Sequence, residues 1–129
     1  MRRTVLRAVL PLVLLLAGCG LFSGSEHFVV YFGAGSNTLD AQGQQVIATV
    51  AEKARARPGT PVVVSGFATP EGTVAANLML ADSRAATVAS GLIKAGVDAA
   101  RIQRRAIGGV DFALDSIESR RVEITLGGM

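Results

Sequence analysis

The 129-residue sequence holds one cysteine, Cys19, and one histidine, His27, and those two scarcities remove several kinds of chemistry. A single thiol cannot close a disulfide within the chain. One cysteine and one histidine supply too few ligands for a zinc site or a redox motif, and His27 has no cysteine, aspartate or second histidine nearby in sequence. Serines occur at positions 36, 65, 83, 90, 116 and 119, yet none stands in a nucleophile-elbow context, and the lone histidine is no credible base for any of them. Gly33-Ala34-Gly35 lacks the following lysine and the further glycine of a phosphate loop. Internal repeats and low-complexity stretches are absent. The expectation is a non-enzymatic chain with no cofactor and no metal, long enough for one domain and a short extra segment.

Long apolar runs are also scarce. The only extended one, Val5 to Leu16, is too short to span a bilayer comfortably. Arg2 and Arg3 precede it, Arg7 lies near its start, and Ala17-Gly18 follow it, which is the order of a cleavable export signal over residues 1–18. Basic residues favour the cytoplasmic side, so the rest of the chain is expected outside the cytoplasm. Leu16-Ala17-Gly18-Cys19 resembles a bacterial lipobox, whose cysteine thiol takes a diacylglyceryl group and becomes the first residue of the mature protein. Lipidation explains the solitary exported cysteine; an ordinary secretory signal with an incidental Cys19 is the other reading. Two or more acyl chains anchor a protein stably. Gly20, where aspartate would resemble an inner-membrane retention signal, favours the outer membrane, with the domain in the periplasm.

Charge of one sign is missing once that segment is set aside. The chain carries thirteen Lys and Arg and ten Asp and Glu; removing Arg2, Arg3 and Arg7 leaves ten of each sign. The mature part is neutral, which gives no support for a nucleic-acid partner or for electrostatic binding to an anionic membrane. Membrane attachment is expected through the lipid alone, and the stretch 19–25 is short enough to keep the domain close to its membrane.

The remaining residues alternate between two periodicities. His27 to Phe32 is β-branched and aromatic and reads as a strand with His27 exposed at its start. Asp40 then caps a helix carrying Val46, Ile47, Val50, Ala51 and Ala54 on one face, ended by Pro58-Gly59. Val62 to Phe67 reads as a second strand. A helix capped by Thr73 and stopped at Gly96 presents Leu78, Ala81, Ala85, Val88, Ala89 and Leu92, its alanines small enough for close packing on a sheet. Arg101 to Ile107 and Arg121 to Leu126 are the third and fourth strands. The order β-α-β-α-β-β predicts an α/β (α+β) two-layer sandwich, with two helices on one face of a mixed four-stranded sheet and the last two strands able to form an antiparallel hairpin.

Val30-Tyr31-Phe32, Ser36, Leu39, Gly66, Gly72, Asn77, Leu80, Arg84-Ala85, Gly96-Val97, Arg101-Ile102 and Arg120-Arg121-Val122-Glu123-Ile124 occur in the order and spacing of one family. Over residues 28 to 126 the chain resembles the OmpA C-terminal domain, shared with the lipoprotein Pal. The resemblance makes residues 26–129 the domain, and implies non-covalent binding of peptidoglycan through its stem peptide, usually at diaminopimelate. That residue presents a carboxylate and an ammonium on one carbon. The family answers the carboxylate with an arginine on the second helix, matched here by Arg84, whose planar fork suits a carboxylate. It answers the ammonium with an aspartate fifteen residues earlier, where this sequence has Thr69. Glu71 lies two residues on as a possible replacement or as a solvated loop acid, and Asn77 and Arg121 are further ligand candidates. Arg120 and Arg121 contact a stem-peptide carboxylate or brace the last strand against Glu123. Gly33, Gly35, Ala81 and Ser119 also depart from the family pattern. The alternative is a degenerate module of the same fold that has lost peptidoglycan and binds envelope proteins. On the peptidoglycan-binding reading Arg84 matters for ligand and little for folding.

Replacement of Cys19 by alanine is expected to abolish lipid attachment. Metabolic labelling with a lipid probe should mark the parent chain and not the variant.

Overall fold

The computed structural model describes residues 24–111 and 116–128. The expected signal segment 1–18, Cys19 and most of the 19–25 link lie outside the described residues. Six main elements follow: β1 (Glu26–Tyr31), α1 (Ala41–Ala56), β2 (Val62–Ala68), α2 (Val74–Lys94), β3 (Ile102–Gly109) and β4 (Arg121–Leu126). Short 3-10 turns occupy Ala99–Arg101 and Ser116–Ser119. No helix among the described residues is long and apolar enough to cross a membrane.

Both helices begin where the sequence places a cap. The Asp40 carboxylate accepts from the Gly43 amide at 2.7 Å, and the Thr73 hydroxyl from the Ala76 amide at 3.1 Å, each satisfying one of the amides that a helix start leaves unpaired. Gly96 closes α2 at a φ of +100°, a conformation that costs little only for glycine, and the amides of Gly96 and Val97 turn back to the carbonyls of Ile93 and Leu92.

The sheet order is β1-β4-β2-β3. β2 and β3 run parallel across the α2 crossover, while β4 lies antiparallel to both β1 and β2. The fold class is as the sequence implies, but the last two strands do not pair as a hairpin. Their connection, residues 110–120, is longer than the two-to-five-residue loops that typically join hairpin strands. β4 also has a core-facing row, Val122, Ile124 and Leu126, that is fully buried, and this favours a central position. The third strand begins one residue later and ends two residues later than the sequence implies. Arg101 stands in a 3-10 turn begun by Asp98, with its guanidinium donating to the carbonyls of Thr60 and Arg57 at 3.0 and 2.9 Å.

The core lies between the helices and one face of the sheet: Ile47, Val50, Ala51 and Ala54 of α1 meet Ala85, Val88 and Leu92 of α2 and the inward rows of all but the β3 edge. Each fully buried Val, Leu or Ile there contributes about 1.5–3 kcal/mol relative to exposure. Leu78, expected on this face, is instead 40% exposed, lying over Gly108 near the end of the β3 edge strand and not in the core. The other sheet face alternates half-buried residues such as Val63, Ser65, Glu123 and Thr125. Alanines let α2 lie directly on β2. A Cβ placed on Gly66 would sit 1.9 Å from the Ala81 carbonyl oxygen.

Gly66→Ala is therefore expected to push α2 off the sheet and to destabilise the domain by at least about 3 kcal/mol, at or above the upper end of ordinary overpacking. A urea denaturation midpoint close to that of the parent would contradict the packing described.

Candidate functional site

α2 crosses the C-terminal end of β2, and on its buried face, where an alanine or valine would complete the stripe, it carries Arg84. The residue has no exposed surface. Its Nε donates to the Ser36 carbonyl at 2.8 Å, Nη1 to the Phe67 carbonyl at 3.0 Å and Nη2 to the Gly33 carbonyl at 3.1 Å. The guanidinium carbon lies 5.5 Å from the centre of the Phe32 ring. One cation thus ties the β1–α1 loop to the end of β2. Three of its five N–H donors are used.

Arg120 approaches the same place from the start of β4. Its Nε donates to the Phe32 carbonyl at 3.1 Å and its Nη1 to the Ser116 hydroxyl at 2.9 Å, while the Phe32 amide donates to the Arg120 carbonyl. Burial first, and then the charge of Arg120, lower the pKa of Arg84 from its ordinary value. An arginine so shifted is still cationic at physiological pH. Neither guanidinium forms an ion pair with a carboxylate among the described residues.

Arg121 serves the other sheet face. Its guanidinium lies 4.1 Å over the Phe67 ring, pairs through Nε with Glu123 at 2.9 Å and donates to the Glu118 carbonyl. Phe67 therefore separates the two sites, its carbonyl held by Arg84 and its ring covered by Arg121. The bracing of the last strand against Glu123 is present.

Thr69 is half-buried two residues beyond Phe67, at the same end of the sheet. Glu71 is exposed and in no ion pair among the described residues. Asn77 is buried, with its side-chain nitrogen close to Gly109, which also adjoins the Thr69 carbonyl. His27 is exposed, between the hydroxyls of Ser25 and Thr125 at 3.3 and 3.2 Å. The structure gathers Arg84, Arg120 and the Thr69 loop at one end of the sheet, and leaves Arg121 on the opposite face.

One expectation is corrected. Arg84 is not dispensable for folding, because its side chain fills the core and satisfies three backbone carbonyls. The sequence reading also missed Phe32 and Phe67 as platforms for guanidinium groups, because the arginines that meet them, Arg84 and Arg121, lie far away along the chain.

Residues 31–122 match the sequence profile of the OmpA family. Probable lipoprotein YiaD of Escherichia coli is 37% identical over 75% of this chain and 47% of its own length. Outer membrane protein A of Bordetella avium is 32% identical over 76% of this chain and 54% of its own. The chain thus spans about half the length of these curated relatives. The crystal structure of the peptidoglycan-associated lipoprotein from Burkholderia pseudomallei superimposes with a TM-score of 0.71 at 25% identity, over 76% of this chain and 88% of that one.

Arg84→Ala should cost at least about 3 kcal/mol, from the cavity and from carbonyls that lose a donor. Arg84→Lys should recover only part of this, since one ammonium cannot reproduce a planar fork. Both effects are read from denaturation midpoints.

Proposed function

Because the chain belongs to the OmpA family, we propose that it is an outer-membrane lipoprotein whose domain binds peptidoglycan non-covalently through the stem peptide. In this reading residues 1–18 are removed, Cys19 carries the lipid, residues 19–25 form the link, and residues 26–129 work in the periplasm.

The observation that carries the proposal is the convergence of Arg84 and Arg120 with no carboxylate paired to either among the described residues. Two cations close together in a partly desolvated place attract an anion, and a guanidinium holds a carboxylate through parallel charge-assisted hydrogen bonds. Arg120 is half-buried and reachable. Arg84 sits behind it with two N–H donors left over, so a ligand carboxylate meets the charge of both; direct contact with Arg84 requires the Gly33–Ser36 turn to lift from it. A diaminopimelate end presents such a carboxylate together with an ammonium. Thr69 offers the ammonium a hydroxyl without charge, and Glu71 is the acid near enough in sequence to supply it. Asn77 adjoins the Thr69 loop through Gly109 and joins the proposed contact set, whereas Arg121, on the opposite sheet face, lies outside it. A peptidoglycan-associated lipoprotein among the similar structures supports this reading.

Co-sedimentation with purified peptidoglycan sacculi tests the function directly. Thr69→Asp is expected to strengthen binding to diaminopimelate-containing peptides roughly ten-fold or more, since one restored, partly desolvated ion pair contributes about 1.5–3 kcal/mol. If Glu71 already serves as the anion, the gain is small in the parent and large in Glu71→Ala, which calorimetry on the four variants separates. Failure of all four to bind would remove peptidoglycan as the ligand.

A further inference from the structure

At the end of the β3 edge strand, the first turns of α2 and the last residues of β3 enclose a groove of about 340 Å³ that neither Arg84 nor Arg120 lines. Val74, Leu78 and Ile107 line it and are 77%, 40% and 47% exposed, an unusual amount of aliphatic surface to leave in water at one place. Leu78 lies against Gly108 and forms part of the groove wall.

Asn77 also lines the groove. It is 9% exposed, and its carboxamide makes no hydrogen bond among the described residues and is open to solvent in the groove, since no buried side-chain polar atom there lacks a partner. A carboxamide offers a donor and an acceptor side by side, which is the complement of a peptide group. The second relevant edge is continuous with this one. Among the described residues β3 pairs only with β2, so its outer side presents backbone groups with no strand partner there, and it reaches the groove through Gly108 and Gly109, which carry no side chains to hold another chain away. At the mouth, Pro70 is followed by the exposed Glu71, which has no ion-pair partner among the described residues.

From these features we propose that the groove binds an extended segment of a protein partner, which lays its backbone along the end of β3, inserts one aliphatic side chain between Val74, Leu78 and Ile107, and carries a basic residue beside it. The edge strand supplies main-chain hydrogen bonds, as in strand addition, and the pocket supplies selectivity. Asn77 pairs with a peptide group of the segment. Glu71 selects the basic residue by charge complementarity. This goes beyond peptidoglycan binding, with Asn77 and Glu71 shared between the two proposed contact sets.

The test is selection of a random-peptide phage library on the full-length chain, followed by affinity measurement on synthetic copies of the enriched peptides. Enriched peptides should place an aliphatic residue next to Lys or Arg. Val74→Glu should weaken them by about ten-fold or more, as expected for a central contact, and Asn77→Ala and Glu71→Gln should each weaken them measurably. Val74 is largely exposed, so its replacement leaves the fold intact, and Met79→Glu, on the exposed surface outside the groove, should change nothing. Sacculus binding by Val74→Glu should equal that of the parent. Absence of enrichment, or peptides that bind Val74→Glu as well as the parent, would overturn the proposal. So would a loss of sacculus binding in Val74→Glu, which would assign the groove to peptidoglycan instead.

Discussion

Burying a guanidinium without a counter-charge is expensive, and the upper part of this domain is arranged around that expense. Arg84 lies on the core face of α2 with no exposed surface, and three backbone carbonyls from two separate segments converge on it. The carbonyl dipoles and the Phe32 ring replace water around the cation. Each partner is fixed in return. The turn Gly33–Ser36 is held down, the end of β2 is set in position, and Phe32 is drawn toward the start of β4, where Arg120 takes its carbonyl.

Close packing lets the arginine reach them. α2 lies on the backbone of β2 because Gly66 has no side chain and Ala81 and Ala85 have small ones. With bulkier residues the helix would stand farther off, and the guanidinium could not bond the Phe67 carbonyl while also reaching Gly33 and Ser36. The same helix begins over the end of the β3 edge strand, where Leu78 meets Gly108 and Val74 stays in solvent, so one helix carries both an enclosed cationic site and an open apolar groove beside Ile107.

Charge is balanced over residues 19–129 yet unevenly placed. Arg121 and Arg104 pair with Glu123 and Asp82 at the surface, and Lys53 and Arg57 share Glu26. Arg84 and Arg120 have no such acid among the described residues. A neutral total therefore conceals a local excess of positive charge, and composition could not reveal it.

Local rules carried much of the fold. Helical spacing of Ile47, Val50, Ala51 and Ala54, caps at Asp40 and Thr73, the stop at Gly96 and the alternation of Val122, Ile124 and Leu126 are properties of neighbouring residues, so the sequence by itself determined the six elements, their order and the two-layer class. Spacing and residue type likewise singled out Arg84 and showed Thr69 where an acid was expected. What only the tertiary structure decided depends on residues far apart in the chain. The insertion of β4 between β1 and β2 is a choice among pairings that alternation leaves equivalent, settled by which strand must be buried on both edges. The burial of Arg84 follows from carbonyls forty-eight and fifty-one positions away and one seventeen away. No pattern along the chain encodes such a meeting, because backbone carbonyls are the same in every residue and only the fold brings particular ones within hydrogen-bonding distance.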